Sequence, residues 1–284
     1  MTSLAALLTL GLLATAGPES SGVQRLGPQA PAVVHRVVTL APSLTDAVAA
    51  LGALDVLVGV SRFDERPEVR ALPRVGGFVD PSVEAVAALK PDLVLVQPGP
   101  GNRAPVEALA GLGISILALR LSSVADVLAA LRAISMALGR PARGEALAQQ
   151  LEATRAEVRA RARGLPPVRV LFAYGLEPLV VAGPGSFADE LLSDAGGTNV
   201  AADAGRAYPV WSVERALGSR PDVVLDASEG AAGREALQSL PGLREARWVR
   251  LPSTALLHPG PALGQGLEEL FLALHPTLAK DAGR

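Results

Sequence analysis

The chain has 284 residues, of which 26 are basic and 28 acidic, giving a net charge of −2 and a pI near 6.0. Hydrophobic residues make up 49% of it, which is enough to bury the cores of two domains of ordinary size. Because the basic residues are scattered, the composition argues against nucleic-acid binding. The lack of cysteine excludes disulfides, thiolate metal sites, a cysteine nucleophile and a lipid anchor on an N-terminal cysteine.

The first residues have the pattern of a secretory signal peptide. An apolar run over 4–13 is followed by Ala14-Thr15-Ala16, which has the small residues of a cleavage site. The run is too short to span a bilayer. We therefore predict a signal peptide over 1–16, cleaved after Ala16, and a periplasmic protein. Since no lysine or arginine precedes the run, a short buried helix or a misplaced start codon is the alternative interpretation.

The next segment, 17–32, is rich in Gly, Pro and Ser and is predicted to be a flexible leader. After it, short β-branched runs alternate with helical patterns. Strands are predicted over 37–40, 56–60, 93–96 and 114–119, and helices over 43–51, 83–89 and 105–112. This alternation is typical of parallel β-α units and assigns 33–140 to an N-terminal lobe.

A long helix separates this lobe from a second one. Strong helix formers follow a break at 139–141, so we predict one helix over 141–164, about 30 Å long. The alternation resumes in a C-terminal lobe over 165–276, with strands over 168–174, 179–183 and 248–251 and helices over 187–195 and 261–274; 277–284 form a tail. The predicted fold is α/β, with two Rossmann-like lobes of parallel sheets, one connecting helix, and a cleft between the lobes.

One segment occurs in both lobes. SVEAVAALKPDLVLV at 82–96 and SVERALGSRPDVVLD at 212–226 align without a gap. Each predicts a helix that ends at Lys-Pro-Asp or Arg-Pro-Asp and leads into a strand. Glu84 and Glu214 lie in the first turns of these helices, where a carboxylate also interacts well with the helix dipole, so a purely structural role is one interpretation of the pair.

Four segments in order resemble the helical-backbone substrate-binding proteins of ABC importers, and most of all their cobalamin-binding branch. They are VVTLAPSLTDAVAALGALDVLVGVSRFDERP, VGGFVDPSVEAVAALKPDLVLV, PLVVAGPGSFADELLSDAGGTNVAADAGRAYPVWSVERAL and HPGPALGQGLEELFLALHP. The resemblance implies two α/β lobes joined by a rigid helix, small opening and closing movements, and ligand between the lobes. It also implies that Glu84 and Glu214 dock on arginines of a two-fold symmetric permease dimer, which works with an ATPase.

The resemblance also implies aromatic ligand contacts at Phe63, Phe78, Tyr174 and Tyr208, although three of these rings differ from the family's best-known pattern. Four further residues are candidate ligand contacts: Gln97, Asn102, Trp211 and His258. The amides of Gln97 and Asn102 suit a corrinoid, whereas core packing is the alternative role of Trp211. His258 or Tyr174 could coordinate a ligand metal. The three histidines lie too far apart in sequence to form a metal motif.

We therefore predict a monomeric solute-binding protein that captures cobalamin or a related corrinoid and delivers it to an ABC permease. It has no predicted catalytic residue, metal site or resident cofactor. Haem and ferric siderophores are the alternative ligands. A dinucleotide-dependent oxidoreductase is a remote alternative, because 99–104 and 183–188 fit G-x-G-x-x-A. Both have proline between the first two glycines, however, and no acidic residue ends the strand predicted at 114–119.

Overall fold

The computed structural model describes residues 22–99, 101–228 and 233–281, so the predicted signal peptide lies outside the described residues. The chain forms two sheets rich in parallel pairs, flanked by helices and connected by one long helix. This arrangement confirms the predicted two-lobe α/β fold. Within the described ranges, no helix is both long and apolar enough to cross a membrane.

The N-terminal sheet has the strand order β1-β5-β4-β2-β3. Its strands are β1 Val23–Leu26, β2 Val37–Thr39, β3 Leu57–Gly59, β4 Leu93–Val96 and β5 Ile116–Leu119, with helices α1 Pro42–Ala50, α2 Val83–Ala88 and α3 Arg103–Gly111. The pairs among β2 to β5 are parallel. Because helices cover both faces, β2, β4 and β5 are buried along their whole length and consist almost entirely of Val, Leu, Ile and Ala.

The first strand shows that the prediction of a flexible leader over 17–32 is wrong for Val23–Leu26. These residues pair antiparallel with β5, with Val23 opposite Leu119 and Leu26 opposite Ile116. The partner strand supplies hydrogen bonds and packing that the surrounding Gly- and Pro-rich composition does not reveal. This edge of the sheet is therefore antiparallel, in contrast to the predicted parallel sheet.

The C-terminal sheet has the order β10-β9-β6-β7, and β8 also pairs with β6. Its strands are β6 Val168–Leu176, β7 Leu179–Val181, β8 Gly197–Asn199, β9 Val223–Asp226 and β10 Arg247–Val249. Its helices are α6 Phe187–Asp194, α7 Val213–Ser219, α8 Arg234–Gln238, α9 Leu263–Leu274 and α10 Pro276–Asp281. Only β7 is antiparallel to its neighbour. The helix α10 replaces most of the tail predicted over 277–284.

The last helix of the N-terminal lobe, α4 Val124–Ala137, is followed by the long helix that connects the lobes, α5 Pro141–Ala162. The 22 residues of α5 occupy the segment predicted as the inter-lobe helix and extend about 33 Å at 1.5 Å per residue. Its buried residues recur along one face: Gly144, Ala148, Leu151 and Val158. A side chain at Gly144 would overlap Ser135 of α4, so glycine permits the close approach of the two helices.

Ion pairs and packing fix α5 against both lobes. Arg132 of α4 lies 2.7 Å from Glu145, and Arg161 lies 2.7 Å from Glu268 of α9. A single apolar core continues from α1 and α4 through α5 to α6 and α9. Since the helix shares one core with each lobe, a large hinge movement would expose apolar surface.

The lobes also contact each other directly beside the cleft. The backbone N–H of Phe187 donates to the carbonyl of Ser122 at 2.7 Å. Nearby, Glu190 of α6 accepts from the backbone N–H of Val124, at the start of α4, at 3.0 Å. These two bonds fix the distance between the lobes at the base of the cleft.

Candidate ligand site

The carboxyl ends of the parallel strands in both lobes border the cleft, which is where open α/β sheets place their ligands. A cavity of about 350 Å³ lies there. The N-terminal lobe contributes the residues that follow β2, β4 and β5, and the C-terminal lobe those around the end of β6 and the segment before α9. Five predicted ligand-binding residues line it: Phe78, Gln97, Tyr174, Tyr208 and His258.

An aromatic cluster forms the wall of this cavity on the C-terminal lobe. The ring centroid of Tyr174 lies 5.6 Å from that of Tyr208 and 6.4 Å from that of Phe187, both in edge-on arrangements. Tyr174 packs in turn on Phe172, 4.9 Å away, which belongs to the core. Tyr208 stays 41% exposed and presents its ring to the cleft. The cluster is therefore a rigid apolar surface with phenol groups at its edge.

The cavity is electrically neutral in character. Burial raises the pKa of Tyr174 well above its ordinary value, and the neighbouring Tyr208 raises it further. Burial also raises the pKa of Tyr208 to about 12. Both phenols are thus protonated at neutral pH and can donate hydrogen bonds. None of the described residues that line this cavity is Lys, Arg, Asp or Glu; its other polar groups include Ser43, Gln97 and Ser122.

The cavity continues into neighbouring ones. A cavity of about 310 Å³ shares Tyr174 and His258 with it and extends toward Glu177. A larger one of about 620 Å³, between α1, α5 and the segment before α9, also includes His258. The open space between the lobes is therefore larger than the aromatic cavity alone, and His258 lies where its branches meet.

The structure does not bring Phe63 into the cavity. Its ring is 58% exposed and lies under the guanidinium of Arg62, whose centre is 5.5 Å from the ring centroid. Arg62 in turn pairs with Asp80 on the loop before α2. Phe63 thus lies at the rim of the N-terminal lobe, and the sequence prediction that it contacts ligand stays untested by this geometry.

Asn102 connects the loops that form the cavity wall and is not among the residues that line the cavity. It is 1% exposed; its Oδ1 accepts from the backbone N–H of Gly99 at 2.9 Å. Its Nδ2 donates to the carbonyls of Phe78 and Gln97, each at 2.8 Å. Since these three bonds occupy the amide, the structure does not bring Asn102 into the aromatic cavity, and its ligand contact stays an untested prediction. Asn102 instead fixes the two loops that present Phe78 and Gln97.

Trp211 belongs to the core of the C-terminal lobe. It is 5% exposed and packs in the apolar cluster beneath β7 and α7, with the guanidinium of Arg215 4.5 Å from its ring centroid. This environment favours core packing, the alternative that the sequence left open, and the ligand contact of Trp211 stays an untested prediction.

Several lining residues were missed by the sequence analysis. Pro42 and Ser43 follow β2, and Leu121 and Ser122 follow β5. The rule that ligands bind beyond the carboxyl ends of parallel strands could have identified all four. Phe187, which has the environment of a core residue at 2% exposure, also contributes an edge to the cavity.

Glu84 and Glu214 lie outside the cavity, on the surface. Both are exposed in the first turn of a helix whose N-cap is a serine: Ser82 accepts from the backbone N–H of Ala85 at 3.1 Å, and Ser212 does so from Arg215 at 3.3 Å. Hydrogen bonds from its own backbone and from Ser212 lower the pKa of Glu214. The helices α2 and α7 each lead into a parallel strand, β4 and β9, and so run in the direction opposite to the strands. Their first turns, with the two carboxylates, therefore lie at the carboxyl ends of the strands, which is the cleft edge of each lobe.

The described parts of the chain hold no group of three or more His, Cys, Asp or Glu side chains that could bind a metal ion. His275 hydrogen-bonds the carbonyl of Ala195 and is buried. His258, in contrast, borders the cavity.

Comparison with known proteins agrees with this geometry. The family model of the periplasmic binding proteins matches residues 37–250. The vitamin B12-binding protein of Salmonella typhimurium is 34% identical over 202 residues, 70% of this chain and 73% of that protein. The crystal structure of the periplasmic vitamin B12-binding protein of Vibrio cholerae has a TM-score of 0.74 and 25% identity, covering 86% of this chain and 98% of that one.

A haem-binding protein is similarly close in structure. The apo form of the periplasmic heme-binding protein from Roseiflexus sp. RS-1 has a TM-score of 0.71 and 33% identity, covering 85% of this chain and 98% of that one. The matched proteins are binding proteins and not enzymes. The match over residues 37–250, together with the two lobes and the cleft between them, shows that this chain belongs to the periplasmic binding protein family.

Proposed function

We propose that the protein captures cobalamin or a related corrinoid in the cleft and delivers it to an ABC permease. The observation that carries this proposal is a cavity lined by aromatic rings and neutral polar groups, with no charged residue among its described lining. A corrinoid presents a flat, weakly charged macrocycle edged with amides, which such a surface complements. The vitamin B12-binding relatives support the same ligand class.

Individual residues have distinct roles in this proposal. Phe78 on one lobe and the Tyr174–Tyr208 pair on the other pack on the two faces of the macrocycle. Gln97 can both donate to and accept from a peripheral amide. The protonated phenol of Tyr208 is a further donor, because it is partly exposed to the cleft.

The test is a titration of the protein with cyanocobalamin, hemin and a ferric siderophore, followed by tryptophan fluorescence. We expect saturable quenching by cyanocobalamin and weaker responses to the other two. Micromolar or tighter binding of hemin, with no response to cyanocobalamin, would overturn the proposed ligand.

Haem is the second candidate, because two potential axial ligands, Tyr174 and His258, line one cavity. The haem-binding relative at 33% identity supports it. The raised pKa of Tyr174 favours the corrinoid, because it disfavours the phenolate that would bind iron. None of the described residues lining the aromatic cavity is arginine or lysine, so the nearest cation offered to the propionates is Arg66 in the adjoining cavity of about 620 Å³. Tyr174→Phe separates the two, since it should abolish an iron–phenolate absorption band but leave cyanocobalamin affinity within about threefold.

Glu84 and Glu214 are proposed to dock the two lobes on a two-fold symmetric permease. Both are exposed, both lie in a first helical turn, and both lie at the cleft edge of their lobe. An exposed carboxylate can accept both N–H groups of an arginine fork, which fixes orientation as well as charge. A symmetric pair of such forks would fit one carboxylate from each lobe.

The docking test uses the permease–ATPase complex in proteoliposomes. Glu84→Ala with Glu214→Ala should abolish stimulation of ATP hydrolysis while ligand affinity stays intact. The matched control is Glu107→Ala with Glu235→Ala, because these are exposed glutamates of other helices, and Glu235 also lies in a first turn. Loss of ligand affinity in the Glu84/Glu214 variant would instead move those residues into the binding site.

We further propose that the protein is a monomer exported to the periplasm by cleavage after Ala16. The family is periplasmic, which supports the location. N-terminal sequencing of protein recovered from the periplasm of an expressing cell should begin at Gly17, and light scattering should give the mass of one chain. A mature protein that still begins at Met1 would contradict the cleavage.

A further inference from the structure

The first turns of α4 and α6 meet at the base of the cleft, α4 from the N-terminal lobe and α6 from the C-terminal lobe. Each helix has a serine N-cap: the Oγ of Ser123 accepts from the third N–H group of α4, and the Oγ of Ser186 from that of α6, each at 3.1 Å. The first N–H groups of the two helices, those of Val124 and Phe187, have no acceptor within their own helix. Each therefore needs an acceptor from water or from another segment.

The two lobes supply these acceptors to each other. The backbone N–H of Phe187 donates to the carbonyl of Ser122, just before α4, at 2.7 Å. The backbone N–H of Val124 donates to Oε1 of Glu190, in the first turn of α6, at 3.0 Å. A carboxylate in this place also interacts favourably with the dipole of α4. The first bond joins two backbone groups, whereas the second depends on the side chain of Glu190 alone.

Glu190 also holds the inter-lobe helix. Its Oε2 lies 3.3 Å from Nη2 of Arg155 on α5, and the Arg155 side chain is only 16% exposed, so salt screens this pair less than a surface pair. One carboxylate thus joins α4, α5 and α6. Asp194, one turn further along α6, pairs with Arg155 at 2.5 Å and with Arg159 at 3.3 Å. Among the described residues, both ion pairs of Asp194 are with α5, so it does not join the lobes in this way.

These inter-lobe bonds lie directly at the ligand cavity. Ser122 and Phe187, which share the backbone bond, both line it, one from each lobe. A ligand in this cavity contacts Phe78 on the N-terminal lobe and Tyr208 on the C-terminal lobe. The separation of the lobes therefore decides whether both contacts form at once.

We propose that Glu190 is a positioning residue of the ligand site, which sets the separation of the two cavity walls before ligand binds. It does so from α6, by holding the start of α4 and the side chain of Arg155 at the same time. A site that already has the right separation loses less free energy on ordering around a ligand. Without Glu190, the lobes can move apart about the remaining backbone bond, and a ligand that contacts both lobes should dissociate faster. This kinetic consequence rests on the proposed ligand-binding function.

The first experiment measures the separation of the lobes without ligand, by double electron–electron resonance between two spin labels. Since the chain has no cysteine, the labels attach only to Glu107→Cys on α3 and Gln238→Cys on α8, two exposed positions on different lobes. Glu190→Ala should lengthen the mean distance and widen its distribution. Glu190→Gln should keep both close to wild type, because its amide oxygen still accepts from Val124.

The donor of the bond can be removed separately. Val124→Pro deletes the N–H group but leaves Glu190 and Arg155 in place; proline suits the first position of a helix, and Ser123 before it is already extended, at φ −115° and ψ 165°. This variant should reproduce the distances of Glu190→Ala, and combining the two should add nothing further. The matched control is Asp194→Asn, which weakens the same Arg155 contact without touching the N-terminal lobe. It should lower stability and leave the distances unchanged.

The second experiment measures cyanocobalamin dissociation by stopped flow. The rate should rise about tenfold in Glu190→Ala and in Val124→Pro, and stay within about twofold of wild type in Glu190→Gln and Asp194→Asn. Distances and rates that stay at wild-type values in the first two variants would overturn the inference, as would equal changes in Asp194→Asn. If wild type does not bind cyanocobalamin, the proposed ligand is wrong, while the spin-label distances still decide whether Glu190 sets the separation of the lobes.

Discussion

The repeated segments of the two lobes, 82–96 and 212–226, share their helix and turn but differ at the last residue of the strand. In both, a serine caps the helix, and a residue in the left-handed region ends it: Lys90 at φ 46° and Arg220 at φ 44°. In both, the aspartate after the proline accepts hydrogen bonds from the backbone at the start of the adjacent strand, Asp92 in one lobe and Asp222 in the other. These shared bonds join helix, turn and strand.

The strand ends differ because they face different surroundings. Val96 ends β4 as a buried apolar residue, and the following Gln97 lines the ligand cavity. Its counterpart Asp226 ends β9 in a buried ion cluster, where it accepts from Arg234 at 2.6 Å and from Arg250 at 2.9 Å. The same backbone hydrogen bonds therefore form the helix, turn and strand of both repeats, whereas the residue that ends each strand depends on its surroundings.

Breaking the ion cluster should have the largest effect. Asp226→Ala removes the buried carboxylate that accepts from two partly exposed arginines and should lower the free energy of unfolding by about 2–3 kcal/mol, measured by urea denaturation. Asp203→Ala is the matched control, since Asp203 pairs with Arg215 on the exposed surface of the same lobe and should cost less than about 1 kcal/mol. Equal effects would show that the cluster adds nothing beyond a surface pair.

The next prediction compares the two aspartates of the turns. Asp92 accepts from the backbone N–H groups of His35 and Arg36 at 2.8 and 2.9 Å, whereas Asp222 accepts from that of Arg169 at 2.8 Å. We expect about 2 kcal/mol of destabilisation from Asp92→Ala and about 1 kcal/mol from Asp222→Ala. A larger loss for Asp222→Ala would contradict this account of the repeat.

Buried carboxylates also distinguish the lobes by pH dependence. Asp64 of the N-terminal lobe is 4% exposed, and neither carboxylate oxygen accepts a hydrogen bond within the described residues. Its pKa is raised from 3.8 to about 6: burial is the main cause and the nearby charge of Asp46 adds to it, while Thr45 and Arg74 act in the opposite direction. Burial alone would raise the pKa of Asp226 too, but hydrogen bonds from Ser228 and the charge of Arg250 lower it.

Because the two pKa values are shifted in opposite directions, the two carboxylates should make stability depend on pH in opposite ways. Since the folded-state pKa of Asp64 is raised, its stabilising contribution is complete below the unfolded-state pKa and is lost as pH rises through about 6. Asp226 has a lowered pKa, so its contribution is present at neutral pH and is lost only in acid. From pH 7.5 to pH 5, wild type should gain about 1 kcal/mol relative to Asp64→Asn in urea denaturation. No difference in slope between the two proteins would contradict the raised pKa.

The smallest expected effect concerns the left-handed residues. Lys90→Gly and Arg220→Gly relieve a backbone conformation that side chains disfavour. Each should raise the free energy of unfolding, measured by urea denaturation, by about 0.5–1 kcal/mol. The two gains should be equal, because the two backbones are alike. A gain for one variant and none for the other would show that the two turns are not equivalent.

Sequence patterns sufficed for the parts of the fold that repeat. Alternating strands and helices, the break before α5 and both copies of the repeat follow from periodicity and from Gly and Pro positions. The strands β1 and β8 were missed because their sequences, VQRL and GTN, lack the continuous apolar run of the buried strands; each is stabilised by pairing with a neighbouring strand.

The sequence identified some residues of the candidate site and could not locate others. Aromatic residues after predicted strands identified Phe78, Tyr174 and Tyr208 correctly as cavity residues, given the family resemblance. Asn102 and Trp211 lie outside that cavity, because the sequence cannot show whether backbone groups occupy an amide or whether a ring faces the core. Those distinctions depend on contacts between segments that are distant in the chain.

Calorimetric titration of cyanocobalamin into wild type and Phe78→Ala tests whether the aromatic cavity between the lobes binds a corrinoid. We expect one-to-one saturation of the wild type and an affinity about tenfold lower in Phe78→Ala, because one face of the macrocycle loses its aromatic contact. Absence of heat with cyanocobalamin, together with saturation by hemin, would contradict it.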